Sequence, residues 1–254
     1  MTDPIVLMYH AFGSRDDRQD PHRLFVPVDA FEQQLQHLVA RRSNFLDLDG
    51  FLAGLQRQHW PARSVLLTID DGYLSTLLDA APLLRRYGVP AVLFALGGRL
   101  GGRSDWMSDM PHEPLLTAAQ LRQLPDYGIS VQCHGWDHRH MAGLDDAQLR
   151  GQMVDSRARL ESETGARIKA FAYPSGVYDP RAVEAAGRAG YECAFAVHTK
   201  GQQRYAFRRT DVNATDTHAT FRLKTQGWWQ RAYYSVGRFS SIRGALHRAI
   251  GSAR

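Results

Sequence analysis

Asp70 and Asp71 stand side by side at the end of an apolar run, Val65-Leu66-Leu67-Thr68-Ile69, and Gly72 follows them. Five residues with almost no polar interruption suit a strand buried on both faces, and Asp-Gly turns the chain. The pair therefore caps a buried strand, where a barrel or an open parallel sheet keeps its active site. Taken alone, Asp-Asp-Gly fits a simple turn equally well. The second reactive group is His134-Gly135-Trp136-Asp137-His138. Two histidines four apart fall on one side of a helical turn and can bind one metal ion together, although such a pair in a loop also serves structural roles. With Asp71 on the same rim they complete a two-histidine, one-carboxylate set with open positions for water and substrate. That set suits Zn²⁺ or another divalent transition metal acting as a Lewis acid. His140, six residues from His134, falls on a different side.

These residues need elements to bring them to one rim, and the chain supplies a regular alternation. Strands read at residues 5–9, 45–46, 65–69, 91–96, 129–133, 169–172 and 193–197. Helices read between them. Asp29 with Glu32, Thr117 with Gln120 and Asp145 with Gln148 make capping-box patterns, while Gly88 and Gly165 close helices. Residues 97–114, rich in Gly, Pro, Asp and Met, form a loop long enough to be functional. Strand and helix alternate seven times, which argues for parallel strands with crossover helices, closed as a barrel or left as an open sheet. The strand ends then carry His10, Asp70-Asp71, His134, Tyr173-Pro174-Ser175-Gly176 and His198. In a parallel barrel all of these share one rim.

Composition narrows the class. At 254 residues, 44% hydrophobic and 22% charged, the chain reads as an ordinary globular protein with one large domain and a tail. The start lacks a basic n-region, and no apolar run approaches a spanning helix, so a cytoplasmic location is the expectation. Cys133 and Cys193 read as two buried free thiols. The net charge of +5 sits in the tail: seven basic and no acidic residues lie between Thr217 and the C-terminus. A nucleic-acid partner is therefore not expected for the body of the protein.

Thr68-Ile69-Asp70-Asp71-Gly72 resembles the Thr-Phe-Asp-Asp-Gly motif of the polysaccharide deacetylases, the carbohydrate esterase family four group built on the NodB-homology domain. His134 to His138 is similar to that family's His-Ser/Thr-x-x-His motif. Met8-Tyr9-His10 and Phe171-Ala172-Tyr173-Pro174-Ser175-Gly176 resemble the subgroup acting in exopolysaccharide synthesis. The likeness covers residues 4–212. It implies a distorted (β/α)7 barrel, catalytic over residues 1–216, and a metal-dependent hydrolase that removes N-acetyl groups from an amino sugar of a polysaccharide or its lipid-linked precursor. It assigns Asp70 as general base and Asp71, His134 and His138 as ligands of a divalent metal, Zn²⁺ first, with Co²⁺, Ni²⁺ or Mn²⁺ as alternatives. The subgroup favours His10 as general acid over His198. A deformylase on a sugar conjugate and a silent carbohydrate-binding module are the competing readings.

The chemistry fits on its own terms: amide hydrolysis needs an activated water, a base for its proton, an acid for the amine and stabilisation of the oxyanion. Backbone N–H groups of the Tyr173–Ser175 turn are candidates for the last task. Trp106, Met107 and Trp136 are candidate sugar-stacking surfaces, with simple packing as the alternative. Ala172 stands where many relatives have an arginine that orients the base, and Gly135 replaces a hydroxyl residue. Residues 217–254 form a basic amphipathic C-terminal segment in which Gly227 to Arg254 alternates aromatics with arginines. They read either as a peripheral anchor on the inner membrane face or as a helix packed on the barrel.

Overall fold

The structure is a computed structural model that describes residues 3–197, 199 and 202–227. In chain order the elements begin with β1 (Ile5–Tyr9), β2 (Ala11–Phe12), β3 (Phe25–Val26), α1 (Val28–Ala40), β4 (Asn44–Phe45) and α2 (Leu48–Arg57). Then come β5 (Ser64–Ile69), α3 (Ala81–Tyr87), β6 (Ala91–Ala95), α4 (Ala118–Leu121), β7 (Ile129–Cys133) and α5 (Asp146–Arg150). The last are α6 (Ser156–Thr164), β8 (Ala170–Ala172), α7 (Pro180–Arg188), β9 (Cys193–Ala196), β10 (Phe207–Arg208), β11 (Thr210–Asp211) and α8 (His218–Lys224).

β1 pairs in parallel with β5, and β5 to β9 follow in sequence order. β10 pairs β9 and β11 pairs β1, with only Arg209 between them. One bent strand thus joins both edges of the sheet, and a nearly closed (β/α)7 barrel results. The count of seven agrees with the sequence, but the membership does not. The expected second strand is only β4, a two-residue pairing at the start of β5 that lies off the ring. The seventh strand is residues 207–211, which the sequence did not reveal because Arg-Arg interrupts it.

Side chains alternate in and out as a barrel requires. Val6, Leu66, Phe94, Ala172, Phe195 and Phe207 share the lumen cluster, while Leu7, Leu67, Leu93 and Val131 meet the helices outside. α2 plugs the N-terminal mouth. Its Phe51 ring lies 5.1 Å from Phe195 and 4.9 Å from Phe207, and Trp60 covers Gly54 so closely that a Cβ there would stand 2.1 Å from the indole.

Two of the three capping boxes form, at Thr117/Gln120 and Asp145/Gln148. The Asp29/Glu32 pair does not. α1 starts at Val28 with Pro27, which has no side-chain acceptor, at its N-cap, so Asp29 lies inside the first turn; Glu32 accepts from Tyr87 Oη at 2.7 Å and Arg86 at 2.9 Å. π-helical turns at Thr76–Ala80, leading into α3, and at Gly151–Asp155, joining α5 to α6, are a distortion frequent near functional sites. Cys133 and Cys193 are free and buried.

α8 begins just past residue 216 and packs on the barrel. Phe221 of α8 is buried against α1, and Arg41 donates to the Thr225 carbonyl at 2.6 Å. The aromatic and arginine residues from 228 onward lie outside the described residues, as does His198. Among the described residues no helix is long and apolar enough to cross a membrane.

Candidate metal and catalytic site

The Tyr9↔Ile69 register between β1 and β5 sets the residues after both strands side by side, so half-buried His10 stands next to Asp70. The Asp70 amide donates to the Tyr9 carbonyl at 2.9 Å, which ties the two strand ends together. Asp70 is 2% exposed, and Arg209 grips its carboxylate with both guanidinium arms, at 2.6 and 2.7 Å. Burial alone would push the Asp70 pKa up. The Arg209 charge, with His134, the Arg209 hydrogen bonds and His10, outweighs it and holds the carboxyl below its usual range. The arginine missing at Ala172 is therefore replaced from the barrel-closing strand.

Ala172 has another task. Its carbonyl lies 2.8 Å from His134 Nδ1, which fixes the ring and leaves Nε2 facing the cleft. Asp71 and Gly72 are both left-handed, at φ 72° and 79°, and this turn brings the Asp71 carboxylate against both histidines. Asp71 Oδ1 lies 3.3 Å from His134 Nε2 and 3.2 Å from His138 Nε2, yet this buried oxygen has no hydrogen bond.

Two donors about 2.0–2.1 Å from one ion at a tetrahedral angle stand about 3.3 Å apart, so the three residues fit a shared divalent metal. Their donor atoms all lie within 4.8 Å of one another. The charge balance agrees. Burial raises the Asp71 pKa, but the two histidines more than offset it and hold the carboxyl well below its usual range. Burial opposes a charged His134, yet Asp70 and Asp71 raise its pKa overall, so the two carboxylates call for a cation at this point.

The histidines do not meet on a helical turn. Residues 134–138 form an irregular loop with His138 left-handed at φ 67°. Gln152, in the π-helical turn after α5, holds that loop by accepting from the Trp136 amide at 2.8 Å and donating to Asp137 at 2.7 Å. Ser156 donates to the Gly135 carbonyl at 2.6 Å. These two side chains, through three hydrogen bonds, do what a hydroxyl at position 135 was expected to do.

The remaining candidates separate. The Tyr173 amide donates to Phe195 in the sheet, its phenol donates to the Tyr205 carbonyl, and Pro174 has no N–H. The expected oxyanion donation from this turn therefore narrows to exposed Ser175, left-handed at φ 54°. Trp136 is 38% exposed and lies over the Gly98 backbone. Trp106 instead stacks on His138, and it packs with Met107 near the cluster of Phe25, Tyr73, Met110 and Leu115.

The sequence reading missed Arg209 and Gln152. The signal for Arg209 was the alternation Phe207, Arg209, Asp211 along a strand edge. The signal for Gln152 was a polar residue among Leu149, Met153 and Leu160 on a buried helix stripe.

A family model described as polysaccharide deacetylase matches residues 57–194. YxkH of Bacillus subtilis (strain 168), whose name places it among the polysaccharide deacetylases, is 28% identical over 213 residues, 82% of this chain and 71% of that one. A poly-β-1,6-N-acetyl-D-glucosamine N-deacetylase of Staphylococcus epidermidis is 26% identical over 215 residues, 77% of this chain and 73% of that one. Among solved structures, the Streptococcus pyogenes deacetylase PplD in complex with acetate shares the fold, with a TM-score of 0.77 at 23% identity, over 88% of this chain and 98% of that chain.

Proposed function

The chain belongs to the polysaccharide deacetylase family, and we propose that its rim hydrolyses the N-acetyl groups of a polymeric amino sugar of the poly-N-acetylglucosamine class. The observation that carries this reading is the convergence of Asp71, His134 and His138 beside a carboxylate held ionised by Arg209.

Asp71, His134 and His138 would hold a divalent metal, Zn²⁺ first, which when bound supplies Lewis acidity to the acetyl carbonyl and lowers the pKa of water. Asp70, kept ionised, accepts the proton that the attacking water sheds as its oxygen bonds to the acetyl carbon. His10, on the neighbouring strand end, donates a proton to the amide nitrogen as the C–N bond breaks. Acetate and a free sugar amine result. The Ser175 amide is the turn's available donor to the oxyanion, and Trp136 offers its face to the sugar.

Metal analysis of the purified chain, with acetate release from poly-β-1,6-N-acetylglucosamine oligomers, tests the reading. Wild type should release acetate, His10→Ala should be strongly impaired, and His198→Ala should retain most activity. No acetate from any N-acetylated sugar would sink the proposal, and formate released from N-formyl sugars would favour a deformylase. Peripheral contact of residues 228–254 with the inner membrane face is a separate part of the proposal. Because α8 packs on α1, the truncation for liposome co-sedimentation begins at residue 228. Equal binding with and without the segment would remove that part.

A further inference from the structure

The three ligand candidates are anchored differently. His134 has the Ala172 carbonyl at its Nδ1. Asp71 is set by its turn, between the Asp70 amide bonded to Tyr9 and the Gly72 amide bonded to the Asp70 carbonyl at 2.9 Å. His138 has neither support. Its backbone is left-handed, and among the described residues its imidazole has one polar contact, with Asp71. A ligand histidine ordinarily gives its second nitrogen to a carbonyl or carboxylate, which fixes the plane of the ring.

Here an aromatic ring occupies that role. Trp106 lies parallel to His138, with centroids 4.7 Å apart and planes 14° from each other. Its indole N–H is buried without a hydrogen-bond partner, so ring packing rather than a polar contact orients it. Trp106 is carried by the long excursion between β6 and α4, which is braced at several points. Arg99 donates to Asp105 at 2.9 Å, and Glu113 and Ser104 bond each other through two contacts, at 2.8 and 2.9 Å. Tyr73 bridges Leu115 across an antiparallel pair, and His22 reaches Asp109 at 2.8 Å. Behind Trp106 stands the Tyr73 ring, 6.4 Å away and itself 1% exposed.

We infer that Trp106 is a positioning residue for His138, so that the excursion at residues 97–117 sets the affinity of the site for its metal. The inference rests on the metal-site reading above. It also removes Trp106 from the sugar-binding surface and leaves that task to Trp136. By linkage, an ion that holds His138 in place also holds the ring stacked on it, so metal binding orders the excursion.

Zn²⁺ affinity, measured by competition with a chromophoric chelator, tests this without reference to activity. Trp106→Ala should weaken binding by about tenfold, and Trp106→Phe should recover most of the loss. In a His138→Ala background, Trp106→Ala should weaken binding no further. Circular dichroism and thermal midpoints of the metal-free variants check that each is folded. Amide exchange across residues 104–110 should slow when Zn²⁺ is added to wild type. Affinity of Trp106→Ala within twofold of wild type, a full loss persisting without His138, or exchange indifferent to Zn²⁺ would each overturn the inference. A wild-type chain that binds no Zn²⁺ overturns the metal-site reading and this inference with it.

Discussion

The two mouths of the barrel are built from the same strands and by opposite rules. At the N-terminal mouth, Phe51 and Trp60 fill the opening against Phe195 and Phe207, with Trp60 Nε1 donating to the Phe51 carbonyl at 3.0 Å. At the C-terminal mouth, Asp70, Asp71, His134 and Arg209 are each at most 3% exposed, and Asp71, His138 and Ser175 are left-handed. Burying these charged groups costs several kcal/mol per ion before their pairing is counted. The fold tolerates this expense because one end is sealed by apolar packing while the other holds charges in fixed positions. Stability and chemistry are segregated along the barrel axis.

Asp70→Asn gives the largest expected effect. It should lower kcat by about 10²- to 10⁴-fold, as expected for loss of a general base, while Zn²⁺ affinity measured by chelator competition stays near wild type. Comparable kcat values would break the assignment of Asp70 as base.

Phe51→Ala tests the other mouth. It should cost about 3–5 kcal/mol in denaturant unfolding and leave the KM and metal affinity of the folded fraction unchanged. A change in metal affinity would mean that the two mouths are not independent.

Arg209→Gln joins both ends of the comparison, since Arg209 sits in the lumen under the rim. Leaving Asp70 buried without its partner should cost about 3–5 kcal/mol. The pH effect has a definite sign. The folded pKa of Asp70 lies below its unfolded value of about 3.9, so its pairing stabilises the fold above that pH. That contribution is lost as pH falls through the lower folded pKa. In Arg209→Gln burial is no longer opposed by that cation, the pKa rises, and the acid limb of kcat/KM should move to higher pH. Arg209→Lys should rescue only in part, because an ammonium cannot make the paired contact.

The smallest effect belongs to α8. Burial, then Arg41, His218 and Arg222, lower the pKa of His37 in the α1–α8 contact. A histidine kept neutral in the fold loses stability as pH falls below its unfolded pKa of about 6.5, levelling off below the folded pKa. Thermal midpoints between pH 8 and 5 should fall less in His37→Gln than in wild type. Parallel curves would remove His37 from this role.

The comparison also explains what could be read in the chain. The strands bearing His10 and Asp70 were legible as apolar runs ending abruptly at a reactive residue, and the one bearing His134 as the apolar alternation Ile129, Val131, Cys133. The helix from Thr117 was legible because its cap is local, whereas Asp29 fails as a cap because α1 starts before it, behind Pro27, and Glu32 bonds Arg86 and Tyr87 across 54 and 55 residues. The basic tail from residue 228 onward lies outside the described residues, and its membrane contact stands as proposed.

The sequence by itself determined the alternation of strands and helices, the rim residues, and the pattern of two aspartates and two histidines that the family motif carries. These follow from local periodicity and short spacing. Only the tertiary structure decided that Arg209 holds Asp70, across 139 residues, and that the strand carrying it closes the ring. It also decided that the Ala172 carbonyl orients His134 and that Trp106, rather than a polar partner, lies on His138. The reason is the same in each case. A buried charge or a ligand ring is satisfied by whichever group the closed barrel brings within about 3 Å, or for a stacked ring about 5 Å, and closure depends on pairings that no local stretch of sequence contains.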